Sequence, residues 1–160
     1  SIAEISDIIE KAMDLLQHLS RSINGEIIKK KGLKESIETQ VAYLKRQGKL
    51  NIQLNVSGIT AMLTETKEIF LFRITQEAIN NILKHSKATE ISISLGYAKN
   101  SLELKICDNG KGFDLNEKIS GANHVNGLFN MQNRANIIEA EFEIDSQIGK
   151  GTCISVITPY

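Results

Sequence analysis

At 160 residues the chain has room for one domain that buries about two-thirds of its unfolded surface without disulfides or metal. Its nineteen Lys and Arg balance nineteen Asp and Glu, which excludes an overall field that would draw it to nucleic acid or an anionic membrane; any anion must be held locally. No apolar run approaches the roughly 20 residues of a membrane span, and the N-terminus lacks a basic region followed by an apolar core, so a soluble, cytoplasmic location is expected.

Ser1 opens directly into a helical pattern, as expected of a piece of a longer polypeptide. From Ile2 to Ile23 apolar residues recur at spacings of three and four, a helix with one broad apolar face. Gly25 and the run Lys29 to Gly32 interrupt it, and a second helix follows with Leu33, Ile37, Val41 and Leu44 on its inner stripe, stopping near Gly48. "NIQLNV" (51–56) alternates like a half-buried strand. A long helix then runs from Thr64, a candidate N-cap, to about Ser86.

"TEISISLGYA" and "SLELKICD" alternate and meet at Lys99 and Asn100 in a tight hairpin. The glycine loop "DNGKGF" follows, then a polar, irregular stretch. Asn126 is a candidate cap for the helix "GLFNMQNRANIIEA", and "EFEIDS" and "TCISVIT" form a closing hairpin across "QIGKG". This order predicts an α+β two-layer sandwich, a mixed and mostly antiparallel sheet under helices. Cys107 and Cys153 lie in apolar strand-like runs without metal-ligand spacing or an attending histidine, and read as buried small hydrophobes in preference to a redox pair.

On the long helix, Glu77 and Asn81 are one turn apart and Lys84 and His85 follow on the same stripe. That stripe is either a site or the solvated side of an amphipathic helix. Asp108 ends a strand, so rigid backbone holds a carboxylate that offers only acceptors, suited to the exocyclic amine of a base. Gly110 and Gly112 allow positive φ and a close approach of a ring or phosphate chain to main chain, although Asp-Asn-Gly is also ordinary turn chemistry. Gly127 opens a helix, where free amides and the dipole favour phosphate. "GKGT" (149–152) lacks the upstream glycine of a P-loop and is by itself an ordinary hairpin loop.

Taken in order, "QEAINNILKHS", "DNGKGF", "NGLFNM" and "GKGT" resemble the four motifs of the GHKL (Bergerat-fold) ATPases, nearest to the catalytic ATP-binding domain of bacterial sensor histidine kinases of the nitrate-sensor and lipid-fluidity-sensor kind. The resemblance implies ATP and Mg²⁺ as ligands. Glu77 would be the acid near the γ-phosphate, and Asn81 would supply an amide oxygen to Mg²⁺. Asp108 would accept the adenine amino hydrogen within a box that includes Gly110, Gly112 and Phe113. Gly127 and Leu128 would belong to the second glycine box, with residues 113–126 an ATP lid, and Thr152 would stand at the base end of the pocket. Lys84 and His85 match positions that approach phosphates or ribose.

The resemblance further implies that residues 1–24 are the second helix of a dimerisation hairpin and 25–160 the catalytic domain. The phosphorylated histidine would lie on a helix outside the fragment, on the same or the paired subunit of a homodimer, with a response regulator as the later acceptor and a membrane-anchored sensor as the whole protein. His18 lacks the neighbouring acid of such an acceptor and reads as structural or exposed, and His124 as a lid surface residue. Two departures stand out: Val125 where a glycine is usual, and "AEF" (140–142) where a glycine pair usually caps the helix. An anti-sigma-factor-type serine kinase and a nucleotide-sensing module without transfer are the competing readings.

Overall fold

The computed structural model describes residues 26, 28–48, 50–115 and 125–160. The helix expected over residues 2–23, His18 and His124 lie outside the described residues.

Helix α1 (residues 28–46) turns Ile28, Leu33, Ile37 and Val41 into the core. Gly32 kinks it at a φ of 76°, and the freed Leu33 N–H donates to Glu68 Oε1 at 3.2 Å. Strand β1 (Asn51–Gly58) and helix α2 (Glu65–Asn81) follow, and a π-helical turn (Ile82–Ser86) prolongs α2. Then come β2 (Glu90–Tyr97), β3 (Ser101–Asp108), α3 (Val125–Ile137), β4 (Glu141–Gln147) and β5 (Gly151–Pro159).

The sheet order is β1-β2-β3-β5-β4, with β1 and β2 parallel and the other neighbours antiparallel. Parallel pairing at one edge follows from α2, which carries the chain back between β1 and β2.

Strict alternation decides which face is covered. Ile91, Ile93 and Leu95 of β2, Leu102, Leu104 and Ile106 of β3, and Ile154 and Val156 of β5 are buried with Ile74, Ala78 and Ile79 of α2 and Met131 and Ala135 of α3. Each such side chain, where large, gains about 1.5–3 kcal/mol on burial. The opposite face carries Gln53, Ser92, Glu103, Lys105, Glu143 and Asp145, all exposed. The expected two-layer sandwich is therefore the observed one.

Three local expectations change. The helix α3 begins at Val125, so Asn126 lies inside it instead of capping it. The same helix ends without glycine by putting Glu139 in the left-handed region at φ 56°, which lets Ala140 N–H close onto Ala135 O at 2.9 Å. The cysteines are not separate buried fillers. Cys107 and Cys153 are register partners on β3 and β5, with Cα atoms 4.1 Å apart, and are disulfide-bonded, both half-buried, on the face opposite α2 and α3. Sequence distance hid a pairing that only strand register creates.

Candidate functional site

Thr64 caps α2 by accepting from Lys67 N at 3.4 Å, and Glu65 and Glu68 in the first turn complement the dipole. Ile74, Ala78 and Ile79 anchor the inner face, so Glu77 and Asn81, one turn apart, come to the half-buried margin beside α3. There Gly127, in the first turn of α3, lies so close that a β-carbon would stand 2.8 Å from Glu77 Oε1 and 3.4 Å from Asn81 Nδ2. The missing side chain is thus what lets an acid, an amide and a helix N-terminus share one spot. Leu128 turns the other way and packs on the core.

Beyond Asn81 the helix widens by one residue. The π-helical turn exposes Lys84 and His85, buries Ser86, and ends at Lys87 in the left-handed region, φ 55°. Single π turns of this kind recur at functional sites. Ser86 is held by its own hydroxyl, which donates to Ile82 O at 2.9 Å and accepts from Ala88 N at 3.0 Å.

Ser86 connects α2 to the second half of the site. Its carbonyl accepts from Lys111 N at 2.7 Å, inside the glycine loop. A β-carbon on Gly110 would meet that carbonyl at 2.4 Å and Asp108 Oδ1 at 2.6 Å. Gly112 has a φ of 59° and would drive a β-carbon to 1.9 Å from Gln147 O. What presses on these two glycines is therefore protein: the π turn on one side and the β4–β5 hairpin on the other.

Asp108 closes β3 with only 9% of its surface exposed. Burial raises its pKa above the ordinary carboxylate value, outweighing the backbone hydrogen bonds from Gly110 N–H (2.7 Å to Oδ1) and Thr152 N–H that favour the charged form. Asn109 holds the loop from outside. Its amide oxygen accepts from Thr89 N at 2.9 Å and Glu90 N at 3.0 Å, and its amide nitrogen donates to Thr89 Oγ1 at 2.9 Å.

Cross-strand register extends the site sideways. Asp108 pairs with Thr152 and Thr152 with Ser146, so three polar side chains form one row over β3, β5 and β4 on the helix-covered face. Ser146 is buried, its Oγ 2.9 Å from Thr152 Oγ1, and it accepts from Phe113 N at 3.0 Å where the loop leaves toward α3.

The site thus has an acceptor-only carboxylate with a hydroxyl beside it at one end, and at the other an acid and an amide under a helix N-terminus. Such an arrangement suits a flat base joined to a polyphosphate. Sequence reasoning named Glu77, Asn81, Asp108, Gly127 and Thr152 but missed Ser86, Asn109 and Ser146. One signal was available: the alternation of "EFEIDS" gives Ser146 the parity of Phe142 and Ile144.

Residues 66–160 match the family described as "Histidine kinase-, DNA gyrase B-, and HSP90-like ATPase". The chain belongs to that family. Its ATPase domain is similar to the signal transduction histidine-protein kinase/phosphatase DegS of Bacillus subtilis (strain 168), 41% identical over 114 residues, covering 70% of this chain and 30% of DegS. It is also similar to the sensor histidine kinase LiaS of the same organism, 29% identical over 169 residues, covering 99% of this chain and 46% of LiaS. The chain spans less than half the length of these curated relatives. In fold it is similar to the Erythrobacter litoralis EL346 blue-light activated histidine kinase, with a TM-score of 0.70 at 16% identity over 91% of this chain and 49% of that one. The relatives named in both comparisons are histidine kinases. No described helix is long and apolar enough to cross a membrane.

Proposed function

We propose that this ATPase domain binds Mg·ATP in the cleft bounded by Asp108 and Thr152 at one end and Glu77 and Asn81 at the other, and transfers the γ-phosphoryl group to a histidine carried on a helix outside residues 1–160. The observation that supports this most is the contact of Gly127 with both Glu77 and Asn81, which brings helix N-terminus, acid and amide together where a γ-phosphate would lie. Asp108 accepts the adenine amino hydrogen. Lys84 and His85, on the exposed π turn, reach toward phosphates or ribose.

No group of three or more His, Cys, Asp or Glu able to hold a metal ion exists among the described residues. The Asn81 amide oxygen, beside Glu77 and the first turn of α3, fits Mg²⁺, a hard ion that would take a single protein oxygen there and complete its shell with waters and phosphate oxygens. Bound there, it would neutralise charge on the phosphates. Glu77 orients the histidine and accepts its proton. The imidazole nitrogen then attacks γ-phosphorus, the bond to the β–γ bridging oxygen breaks, and ADP leaves. Positioning and charge neutralisation carry most of the rate in such transfers.

Residues 1–24 complete a dimerisation hairpin in this reading, and a response regulator receives the phosphoryl group in turn. The test is calorimetric titration with ATP and ADP, with and without Mg²⁺, followed by incubation with a separately made histidine-bearing hairpin. Acid-labile phosphate on the hairpin is expected; nucleotide-independent labelling, or binding without any transfer, would overturn the kinase reading.

A further inference from the structure

We propose that Cys107 and Cys153 form a reversible thiol-oxidation site, closed to the disulfide by a hydroperoxide and reopened by a small thiol, whose oxidised state holds the nucleotide pocket in shape. Its effect on nucleotide rests on the site reading above, whereas the thiol chemistry does not.

Strand alternation puts both cysteines on the face opposite α2 and α3, each half-buried, in a row with their outer register partners Ser92 and Asp145. Ser92, Asp145 and Lys105 are exposed, so a small solute reaches the pair from solvent. The two cysteines differ in their surroundings. Lys105 stands two residues from Cys107 on the same face of β3 and favours a thiolate there, whereas the Asp145 carboxylate opposite Cys153 disfavours a second negative charge. Cys107 is therefore the sulfur that attacks. Its thiolate takes one peroxide oxygen, the O–O bond breaks, and the other oxygen leaves and takes up the proton that Cys107 lost, giving a sulfenic acid. Cys153 sulfur then attacks Cys107 sulfur. The S–S bond forms, the S–O bond breaks, and water leaves with the Cys153 proton, so that two electrons have passed from the thiols to the peroxide. A small thiol reverses the change by exchange and ends as its own disulfide.

The next residue on each strand belongs to the pocket: Asp108 follows Cys107, Thr152 precedes Cys153, and the two are register partners. The strands are pressed together just there, since a β-carbon on Gly151 would stand 1.9 Å from Asp108 O and 3.1 Å from Asn109 Cα. Beyond them the glycine loop and the β4–β5 turn are tied by Gly149 N–H, which donates to Lys111 O at 2.6 Å. Two thiols need more room than one disulfide. Reduction therefore lets β3 and β5 part at this end, and Asp108 and Thr152 are the first pair to loosen. Packing this close passes such a shift on to the loops instead of absorbing it.

In the experiment the chain is treated with hydrogen peroxide or with dithiothreitol, its thiols are counted by maleimide labelling and intact mass, and ADP binding with Mg²⁺ is measured by calorimetry in each state. Peroxide should remove both thiols within one molecule, and dithiothreitol should return them. The reduced form should bind ADP about fivefold more weakly, and Cys107→Ser/Cys153→Ser should match it whatever the treatment. Cys153→Ser should accumulate a sulfenic acid that dimedone captures, and Cys107→Ser should give much less. Two thiols that survive peroxide, or equal ADP affinity in the two states of wild type, would overturn the proposal. Both of these comparisons use the unsubstituted chain, so neither depends on a variant that folds. A reversible disulfide in a chain that binds no ADP in either state would instead sink the nucleotide-site reading and leave the thiol site standing.

Discussion

Gly127 and Glu77 touch across two helices: the position of a β-carbon on Gly127 is 2.8 Å from Glu77 Oε1. The atom in the way is the end of a flexible side chain, so Gly127→Ala should displace the carboxylate and leave the fold nearly untouched. We expect an unfolding free energy within about 1 kcal/mol of wild type, with transfer to the histidine hairpin reduced roughly tenfold or more. A variant that transfers normally would show that Glu77 has no need of its present position.

Glu77→Gln keeps the shape and removes the base. Nucleotide affinity should stay within about threefold of wild type, while phosphotransfer falls by roughly 10²- to 10⁴-fold. The paired change, Asn81→Ala, should act on binding instead, abolishing the enhancement that Mg²⁺ gives to ATP affinity in calorimetry. A metal response equal to wild type would remove Asn81 from the metal's shell.

Asp108 is expected to lose stability and gain function when charged. Its pKa is raised in the folded protein, chiefly by burial, so the fold binds this proton more tightly than the unfolded chain does. The stability gained from protonation is fully present below the unfolded value and is lost as pH rises through the folded one. Binding runs the opposite way, because only the carboxylate accepts the adenine amine on either oxygen. Affinity should therefore decline on acidification at a pH above that of an ordinary aspartate. Asp108→Asn should melt no lower than wild type without nucleotide, yet lose at least about thirtyfold in ADP affinity, as removal of a charged hydrogen bond does. Unchanged affinity by calorimetry would end the pocket assignment.

Gly112→Ala tests the loop. A residue with a side chain is strained at φ 59°, and its β-carbon would press on Gln147 O at 1.9 Å, a backbone atom that cannot swing away. Destabilisation of about 2–4 kcal/mol is expected in denaturant unfolding. The same change at Gly149, whose β-carbon position is open, should cost only the strain of its φ of 83°.

Helical and strand periods made most of the fold legible, because α2, β2, β3 and β5 each bury one face and so alternate or repeat without ambiguity. The spacing of Glu77 and Asn81 and the strand-end position of Asp108 were equally local. Hidden were the features made by elements far apart in sequence. The π turn has no residue signature, since it is one extra residue accommodated in a helix. The neighbours of Gly110 and Gly112 belong to α2 and β4, and the Cys107–Cys153 bond needs the register of β3 on β5. Ser86 and Ser146 look like solvent residues until their partners arrive.

That register has a genetic consequence. Along β3 and β5 a single peptide unit separates pocket from outer face, Asp108 from Cys107 and Thr152 from Cys153. Deleting or inserting one residue within either strand would turn the pocket residues outward and carry the cysteines inward, a frameshift in space that no side-chain adjustment repairs. Length changes should therefore be tolerated at the exposed turns 98–100 and 148–150, which lead into these strands from β2 and β4, and rejected within the strands themselves.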